Sequence, residues 1–221
     1  MQKLITAAAL ALGFYTTAAT AQPSLDTDEQ KTLYALGVVL GGNIEQFSLT
    51  ADELAIVAAG FDHGALGKEL EVDMQTYGPL IQVLANERAT AAAAVEKQAS
   101  AAFLAQMSGE AGAQTMDSGV VYIPVTEGSG ANPLATDSVS VHYHGTLRDG
   151  SVFDSSVQRG EPISFELEGV IPCWTEGVQK MQVGGKAKLV CPADTAYGDT
   201  GQGPIPGGAA LVFEVELLGI E

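Results

Sequence analysis

The stretch that decides the fold of this chain is SVSVHYHGTLRDG, residues 138–150. From Val139 to Leu147 every second residue is apolar or small and the residues between are polar, which predicts a β-strand with one buried face. Asp149-Gly150 then predicts a tight hairpin turn. Residues 163–168, 187–191 and 211–218 alternate in the same way, so we expect further strands in this half of the chain.

One segment among these strands has a helical pattern instead. Trp174, Val178 and Met181 fall on one face of a helix, and Gly184-Gly185 follows as an end signal. A sheet with one apolar face and one short helix to cover it predicts an α+β domain, which we assign to residues 116–221.

Residues 22–107 predict helices almost throughout, with long Ala-rich stretches. We expect a first helix that is capped by Thr27 or Asp28 and ends near Gly41-Gly42, a second that opens with the capping box Thr50-Ala51-Asp52-Glu53 and stops at Gly64 to Gly67, and a long third helix from Asp73 or Pro79 to about Met107. A break at 108–115 is predicted to link this segment to the α+β domain.

The helices contain few large apolar side chains, so their core is predicted to be thin. The expected apolar faces consist of Leu33, Leu36, Val39 and Leu40 in the first helix, and of Leu54, Val57, Ala58 and Phe61, turned inward, in the second. Such faces stay exposed in a monomer unless a partner covers them. We therefore predict a homodimer through residues 22–107, with a self-contained helical hairpin or a partly mobile stalk as the alternative.

The first 21 residues have the pattern of a signal peptide. Lys3 gives a positive start, an apolar run follows from Leu4 to Phe14, and Ala19-Thr20-Ala21 offers small residues for cleavage. The run is shorter than the roughly 20 residues that cross a bilayer, and no Cys stands near the cleavage site to take a lipid. We expect a soluble chain that is exported to the periplasm and begins at Gln22.

The chain is strongly acidic, with 10 Lys and Arg against 27 Asp and Glu and a formal net charge of -17. This charge repels phosphate backbones and anionic lipid head groups, so neither nucleic acid nor a membrane surface is predicted as a partner. A hydrolase is not predicted either, because the chain has no G-x-S-x-G motif and no clustered acid pair. His142 and His144 face the same side of their strand without a third ligand at a suggestive spacing, so no metal or other cofactor is predicted.

The two cysteines, Cys173 and Cys191, are the only ones in the chain. In an oxidising compartment an even number of cysteines makes a disulfide possible. The alternatives are two buried thiols that pack as small apolar groups, and a reactive thiol at the start of a helix.

Four blocks of sequence, at 141–156, 169–178, 196–198 and 211–218, stand in the order and spacing of an FK506-binding-type peptidyl-prolyl cis/trans isomerase. The chain resembles this family, and its helical half resembles, more loosely, the dimerisation segment of exported macrophage-infectivity-potentiator-like isomerases. The resemblance implies a twisted antiparallel sheet wrapped on the one short helix, preceded by an all-α dimerisation segment. In the family's fold that helix packs on the sheet face where Cys191 is expected, which implies that Cys173 and Cys191 are bonded.

The resemblance also implies a pocket with Trp174 as its floor. The residues that would act in catalysis are Tyr143, Phe153, Asp154, Trp174, Tyr197 and Phe213, and those that would bind substrate are Ile163, Phe165, Val170, Ile171 and Ile205. The implied activity is rotation of X-Pro peptide bonds in unfolded or partly folded exported proteins. The alternative is a non-enzymatic chaperone or adaptor that only binds proline turns; the complete set of Tyr143, Asp154, Trp174 and Tyr197 favours the enzyme.

Overall fold

The structure is a computed structural model that describes residues 24–221. The signal peptide that we expect in residues 1–21 lies outside the described residues. By their internal contacts the residues form two units, one ending at Glu45 and one running from Gln46 to Glu221.

The first unit contains helix α1, Asp28–Asn43. Thr27 caps it: the Thr27 hydroxyl accepts a hydrogen bond from the backbone N–H of Gln30, and the Gln30 side chain accepts one from the backbone N–H of Thr27. Its apolar side chains are open to solvent within the described chain, with Leu33 61% and Val39 65% exposed.

Three helices open the second unit after a 3-10 turn at Glu45–Phe47, namely α2 at Ala51–Leu66, α3 at Met74–Tyr77 and α4 at Leu80–Ser108. The predicted capping box of Thr50 and Glu53 starts α2, and Gly67 ends it in the left-handed conformation. The expectation that α2 turns its apolar face inward is wrong for the single chain, because Leu54 is 48% and Phe61 60% exposed.

The end of α4 packs on the outer face of the sheet. Met107 is buried there with Val121, Ile123 and Val190, and Phe103, Leu104, Ala113 and Val212 surround them. Strand β1, Gln114–Thr115, follows within the segment that we expect to be a linker. This helix therefore forms part of the second unit's hydrophobic core.

The sheet has seven strands, and all its pairings are antiparallel. After β1 they are β2 at Val121–Thr126, β3 at Ser138–Leu147, β4 at Val152–Ser155, β5 at Ile163–Glu166, β6 at Lys186–Cys191 and β7 at Leu211–Ile220. The order is β1-β2-β6-β7-β3-β4, and β5 pairs with residues 138–141 of β3, before the part of β3 that pairs with β4. Two short helices join these strands, α5 at Ser156–Arg159 and α6 at Pro172–Val178, with 3-10 turns at Leu167–Gly169 and Ala193–Thr195.

Helix α6 covers the inner face of the sheet, as the alternating strands predict. Val141, Leu189, Val215 and Leu217 from the strands are buried there in one cluster with Val178 of α6. Burying this apolar face is what holds the layers together, at about 25 cal/mol per Å² of apolar surface. The predicted α+β fold, a sheet wrapped on one short helix after a helical segment, is confirmed.

Candidate active site

A cavity of about 550 Å³ opens beside α6 and the inner sheet face. All the pocket residues expected from the sequence line it: Tyr143, Phe153, Asp154, Ile163, Phe165, Val170, Ile171, Trp174, Tyr197, Ile205 and Phe213. Gly169, Gln202, Gly203 and Pro204 complete the lining and were not expected. The structure thus brings together residues that lie far apart along the chain.

Sheet and helix each supply part of this lining. Strands β3, β4, β5 and β7 contribute Tyr143, Phe153, Phe165 and Phe213, and α6 contributes Trp174 in its first turn. Tyr143 and Phe213 point inward because they occupy the buried positions of their alternating strands. Asp154 and Ile163 also come from β4 and β5, and the remaining lining residues come from the segments that precede α6 and follow the 3-10 turn Ala193–Thr195.

Trp174 is the centre of an aromatic cluster. Its ring lies 5.2 Å from that of Tyr143, 5.3 Å from that of Phe165 and 5.1 Å from that of Phe213, measured between ring centroids. The contacts with Tyr143 and Phe213 are edge-to-face, the arrangement that aromatic quadrupoles favour. The floor of the cavity is therefore apolar and held rigidly from three sides.

A small polar network lies at one edge of the pocket. The Tyr143 hydroxyl donates a hydrogen bond to the Asp154 carboxylate, and the Arg159 guanidinium donates to the same carboxylate and, over 3.0 Å, to the Tyr143 oxygen. The guanidinium also lies 5.6 Å from the centroid of the Tyr143 ring. Asp154 is thereby fixed in position by two donors.

Arg159 is a site residue that the sequence analysis missed. It ends α5, a four-residue helix that was not predicted. Two signals for that turn are present in the sequence: Ser155 caps it by accepting from the backbone N–H of Gln158, and Gly160 ends it in the left-handed conformation.

The network keeps Asp154 ionised. Burial on its own would raise the pKa of the Asp154 carboxyl, but hydrogen bonds from Tyr143 and Arg159 and the Arg159 charge outweigh it, so that pKa is lowered. Burial, together with the hydrogen bond to Asp154, raises the pKa of the Tyr143 hydroxyl. At neutral pH the edge of the pocket therefore holds a carboxylate, a neutral phenol and a guanidinium.

His142 and His144 do not line the cavity around Trp174. Their Nδ1 atoms lie 3.1 Å and 3.0 Å from the hydroxyl oxygens of Ser156 and Ser155. Within residues 24–221 no three His, Cys, Asp or Glu side chains are grouped so that they could hold a metal ion.

A disulfide joins Cys173 and Cys191 in the structure, with 5.6 Å between the two Cα atoms. Both residues are fully buried. Because Cys173 directly precedes Trp174, the bond ties the first turn of α6, and with it the pocket floor, to strand β6.

Comparison with known proteins supports the resemblance seen in the sequence. One family model, FKBP-type peptidyl-prolyl cis-trans isomerase, matches residues 130–218, and a second, the domain amino terminal to FKBP-type peptidyl-prolyl isomerase, matches residues 29–123. The FKBP-type peptidyl-prolyl cis-trans isomerase FkpA of Aeromonas hydrophila is 42% identical over 206 residues, which are 87% of this chain and 76% of that protein. The outer membrane protein MIP of Legionella longbeachae is 34% identical over 228 residues, which are 99% and 97% of the two chains.

A solved structure agrees over almost the whole chain. The crystal structure of FkpA from Escherichia coli matches with a TM-score of 0.70 and 36% identity, covering 90% of this chain and 99% of that one. The family models, the relatives and the solved structure all agree with the prediction from the sequence blocks. This chain belongs to the FKBP-type peptidyl-prolyl cis/trans isomerase family and is an isomerase of X-Pro peptide bonds.

Proposed function

We propose that the aromatic pocket around Trp174 is the place where this isomerase binds and rotates the X-Pro bond. The observation that carries the proposal is the single cavity in which a three-sided aromatic floor meets the network of Tyr143, Asp154 and Arg159. A non-enzymatic adaptor has no specific observation in its favour.

A pocket of this composition suits the chemistry. Rotation of a peptide bond must break C–N resonance, at a barrier of about 18–20 kcal/mol. The twisted amide is less dipolar than the planar one, so a dry aromatic site stabilises it better, relative to the planar form, than water does. No covalent step is needed, and each tenfold acceleration requires about 1.4 kcal/mol of differential binding.

The residues have distinct roles in this proposal. Trp174 and Phe213 hold the proline ring, and the hydroxyl of Tyr197 donates a hydrogen bond to a substrate carbonyl. Asp154, ionised and fixed by Tyr143 and Arg159, supplies a steady electrostatic field instead of exchanging protons.

Fluorescence of Trp174 tests where the substrate binds, because it is the only tryptophan of the chain. Titration of the mature protein with a short X-Pro peptide should give a saturable change in Trp174 emission. The same peptide with Ala in place of Pro serves as the control and should give none. Equal responses to both peptides, or no response to either, would show that proline is not bound against Trp174.

We also propose that the isomerase is a homodimer through its helical segment, residues 22–107. The support comes from apolar side chains that the described chain leaves open, such as Val39 in α1 and Ile56, Phe61 and Leu66 in α2, each at least 60% exposed. Burying such a surface against a second copy is favourable at about 25 cal/mol per Å². Sedimentation of the mature chain tests this, and a monomer at micromolar concentration would contradict it.

Finally, we propose that the protein is exported to the periplasm and acts there on proline-containing unfolded chains. The signal-peptide pattern of residues 1–21 and the pairing of the only two cysteines support this. Each helix described in residues 24–221 is too short or too polar to span a bilayer. Mass spectrometry of the periplasmic fraction should find a chain that begins at Gln22, whereas an intact Met1 in the cytoplasm would contradict export.

A further inference from the structure

One face of α4 lies against the loops that form the rim of the pocket. The face consists of Ala93, Glu96, Lys97 and Ser100, which recur at the three- and four-residue spacing of a helix. We call this set the α4 clamp face. It lies well before the end of α4, where Met107 packs on the sheet.

Lys97 contacts the segment that carries Tyr197. Its ammonium group lies 3.3 Å from a carboxylate oxygen of Asp194 and 3.2 Å from one of Asp199. Lys97 therefore bridges one carboxylate that precedes Tyr197 in the sequence and one that follows it. These two carboxylates raise the pKa of Lys97, the Asp199 contact contributing most. The Lys97 side chain is 49% exposed, so each ion pair alone is weak.

Ser100 makes a buried contact with the other end of the same segment. Its hydroxyl oxygen accepts a hydrogen bond of 2.7 Å from the backbone N–H of Ala210, and Ser100 is only 3% exposed. The next residue, Leu211, starts β7, which carries Phe213. A buried N–H that loses its partner is costly, so this contact is the stronger of the two.

Glu96 extends the clamp face to a second loop. Its carboxylate accepts hydrogen bonds from Arg148 Nε at 2.8 Å and Nη2 at 3.0 Å, and one oxygen also accepts from the Ser100 hydroxyl at 3.3 Å. Arg148 stands in the turn between β3 and β4, and β4 carries Phe153 and Asp154. Both loops are thus held by neighbouring residues of one helix.

The contact between α4 and the loop of residues 193–210 leaves no space for a side chain at two glycines of the loop. A Cβ on Gly208 would lie 2.5 Å from the carbonyl oxygen of Ala93, and a Cβ on Gly207 would lie 3.1 Å from the Ala93 Cβ. Gly208 also adopts a φ of +77°, which favours glycine. The loop backbone therefore packs directly on the helix.

We propose that Glu96, Lys97 and Ser100 are positioning residues for the isomerase reaction, and that the α4 clamp face keeps Tyr197 and Ile205 in their binding positions. Apart from the 3-10 turn Ala193–Thr195 and one bridge between Gln202 and Ile205, residues 193–210 have no regular structure that would hold them. A loop that samples other conformations lowers apparent affinity by the fraction of time it is misplaced. The inference rests on the proposed assignment of the pocket as the substrate site.

The test uses the full mature chain with two variants, Lys97→Met alone and the double substitution Lys97→Met, Ser100→Ala. Lys68→Met is the matched control, because it removes an equally exposed lysine whose 2.5 Å ion pair with Asp62 lies outside the clamp face. Lys97→Arg is the conservative variant for comparison, since it keeps the positive charge at this position. KM and kcat on an X-Pro peptide are measured together with hydrogen exchange of residues 193–210.

We expect Lys97→Met to raise KM about twofold to fivefold, a range that the loss of weak surface ion pairs can account for. The double variant should raise KM about tenfold or more, because the Ala210 N–H then loses its buried partner. In both variants kcat changes less than KM and exchange of residues 193–210 becomes faster, whereas Lys68→Met and Lys97→Arg behave like wild type. Lys97 is at the surface, so its substitution leaves the fold intact.

An unchanged KM in the double variant would overturn the proposal, whether or not exchange becomes faster. So would an equal rise of KM in Lys68→Met. A Trp174→Leu protein measured in parallel separates this failure from failure of the site assignment. If Trp174→Leu loses activity while the clamp variants do not, only the clamp is wrong; if Trp174→Leu is also fully active, the pocket assignment and the clamp both fail.

Discussion

Breaking the Cys173–Cys191 bond should destabilise the isomerase unit by an amount that follows from the length of the loop it closes. The two residues are 18 apart in sequence. In the chain-entropy model, a loop of that length gives about 3 kcal/mol of stability, because the bond restricts the unfolded chain. For a unit of this size a loss of 1 kcal/mol lowers Tm by about 2–4 °C, so reduction should lower it by roughly 6–12 °C.

Trp174 fluorescence is the natural probe for this experiment, since the tryptophan follows Cys173 directly and no other tryptophan contributes. Urea unfolding is followed with and without reductant, and free thiols are counted in each denatured sample. A Cys173→Ala, Cys191→Ala double variant in the absence of reductant controls for effects of the reductant itself. Activity at 25 °C should stay close to that of the oxidised protein, because the bond supports the floor without touching substrate.

Two results would refute the reasoning. One is a pair of free thiols in the denatured protein that was never reduced, which would mean that the bond does not form. The other is an unchanged urea midpoint after verified reduction, with the same dependence on urea concentration, which would mean that the bond does not stabilise the fold.

Three further predictions concern packing, pH and assembly. Gly177→Ala should destabilise the domain by about 1–3 kcal/mol in urea unfolding, because its Cβ would lie 2.6 Å from buried Leu189, and a loss below a few tenths would contradict this. Because the pKa of Asp154 is lowered, its ion pair with Arg159 is complete above the ordinary carboxyl pKa of ~3.9 and is lost only below it. The value of kcat/KM should therefore stay level from about pH 5 to about pH 8. A step within that range would show that another group controls activity. Phe61→Glu should shift sedimentation toward the monomer without changing kcat/KM on short peptides, whereas an unaltered dimer would place the interface elsewhere.

Sequence alternation identified those strands that bury one face. Strands β3, β5, β6 and β7 have the predicted period because their inner face meets α6 and their outer face is largely polar. Strand β2 was missed because it is buried on both sides: Tyr122 joins the inner core, while Val121 and Ile123 lie under the end of α4. A strand of this kind has a continuous apolar run, which periodicity does not separate from a helix.

The pocket lining followed from the order of the sequence blocks, whereas the contacts around it did not. The single helical turn α5 brings Arg159 back to Asp154. One turn is too short to produce a helical period in the sequence, so this contact was not predicted. Ser100 reaches Ala210 across the domain boundary that we predicted, and nothing local to either residue indicates that contact.

Catalysis by a Trp174→Leu, Tyr197→Phe double variant tests the central claim most directly. Tyr122→Phe is the matched control, because it removes a phenol oxygen from a buried tyrosine of the same sheet that does not line the pocket. Refolding of a protein limited by proline isomerisation, a step of about 10–100 s at 25 °C, is timed with each variant. The account predicts that the double variant, folded by circular dichroism, loses at least about 100-fold in kcat/KM, near 2.7 kcal/mol, while Tyr122→Phe keeps wild-type activity. A folded double variant that accelerates refolding as well as wild type would show that isomerisation takes place elsewhere.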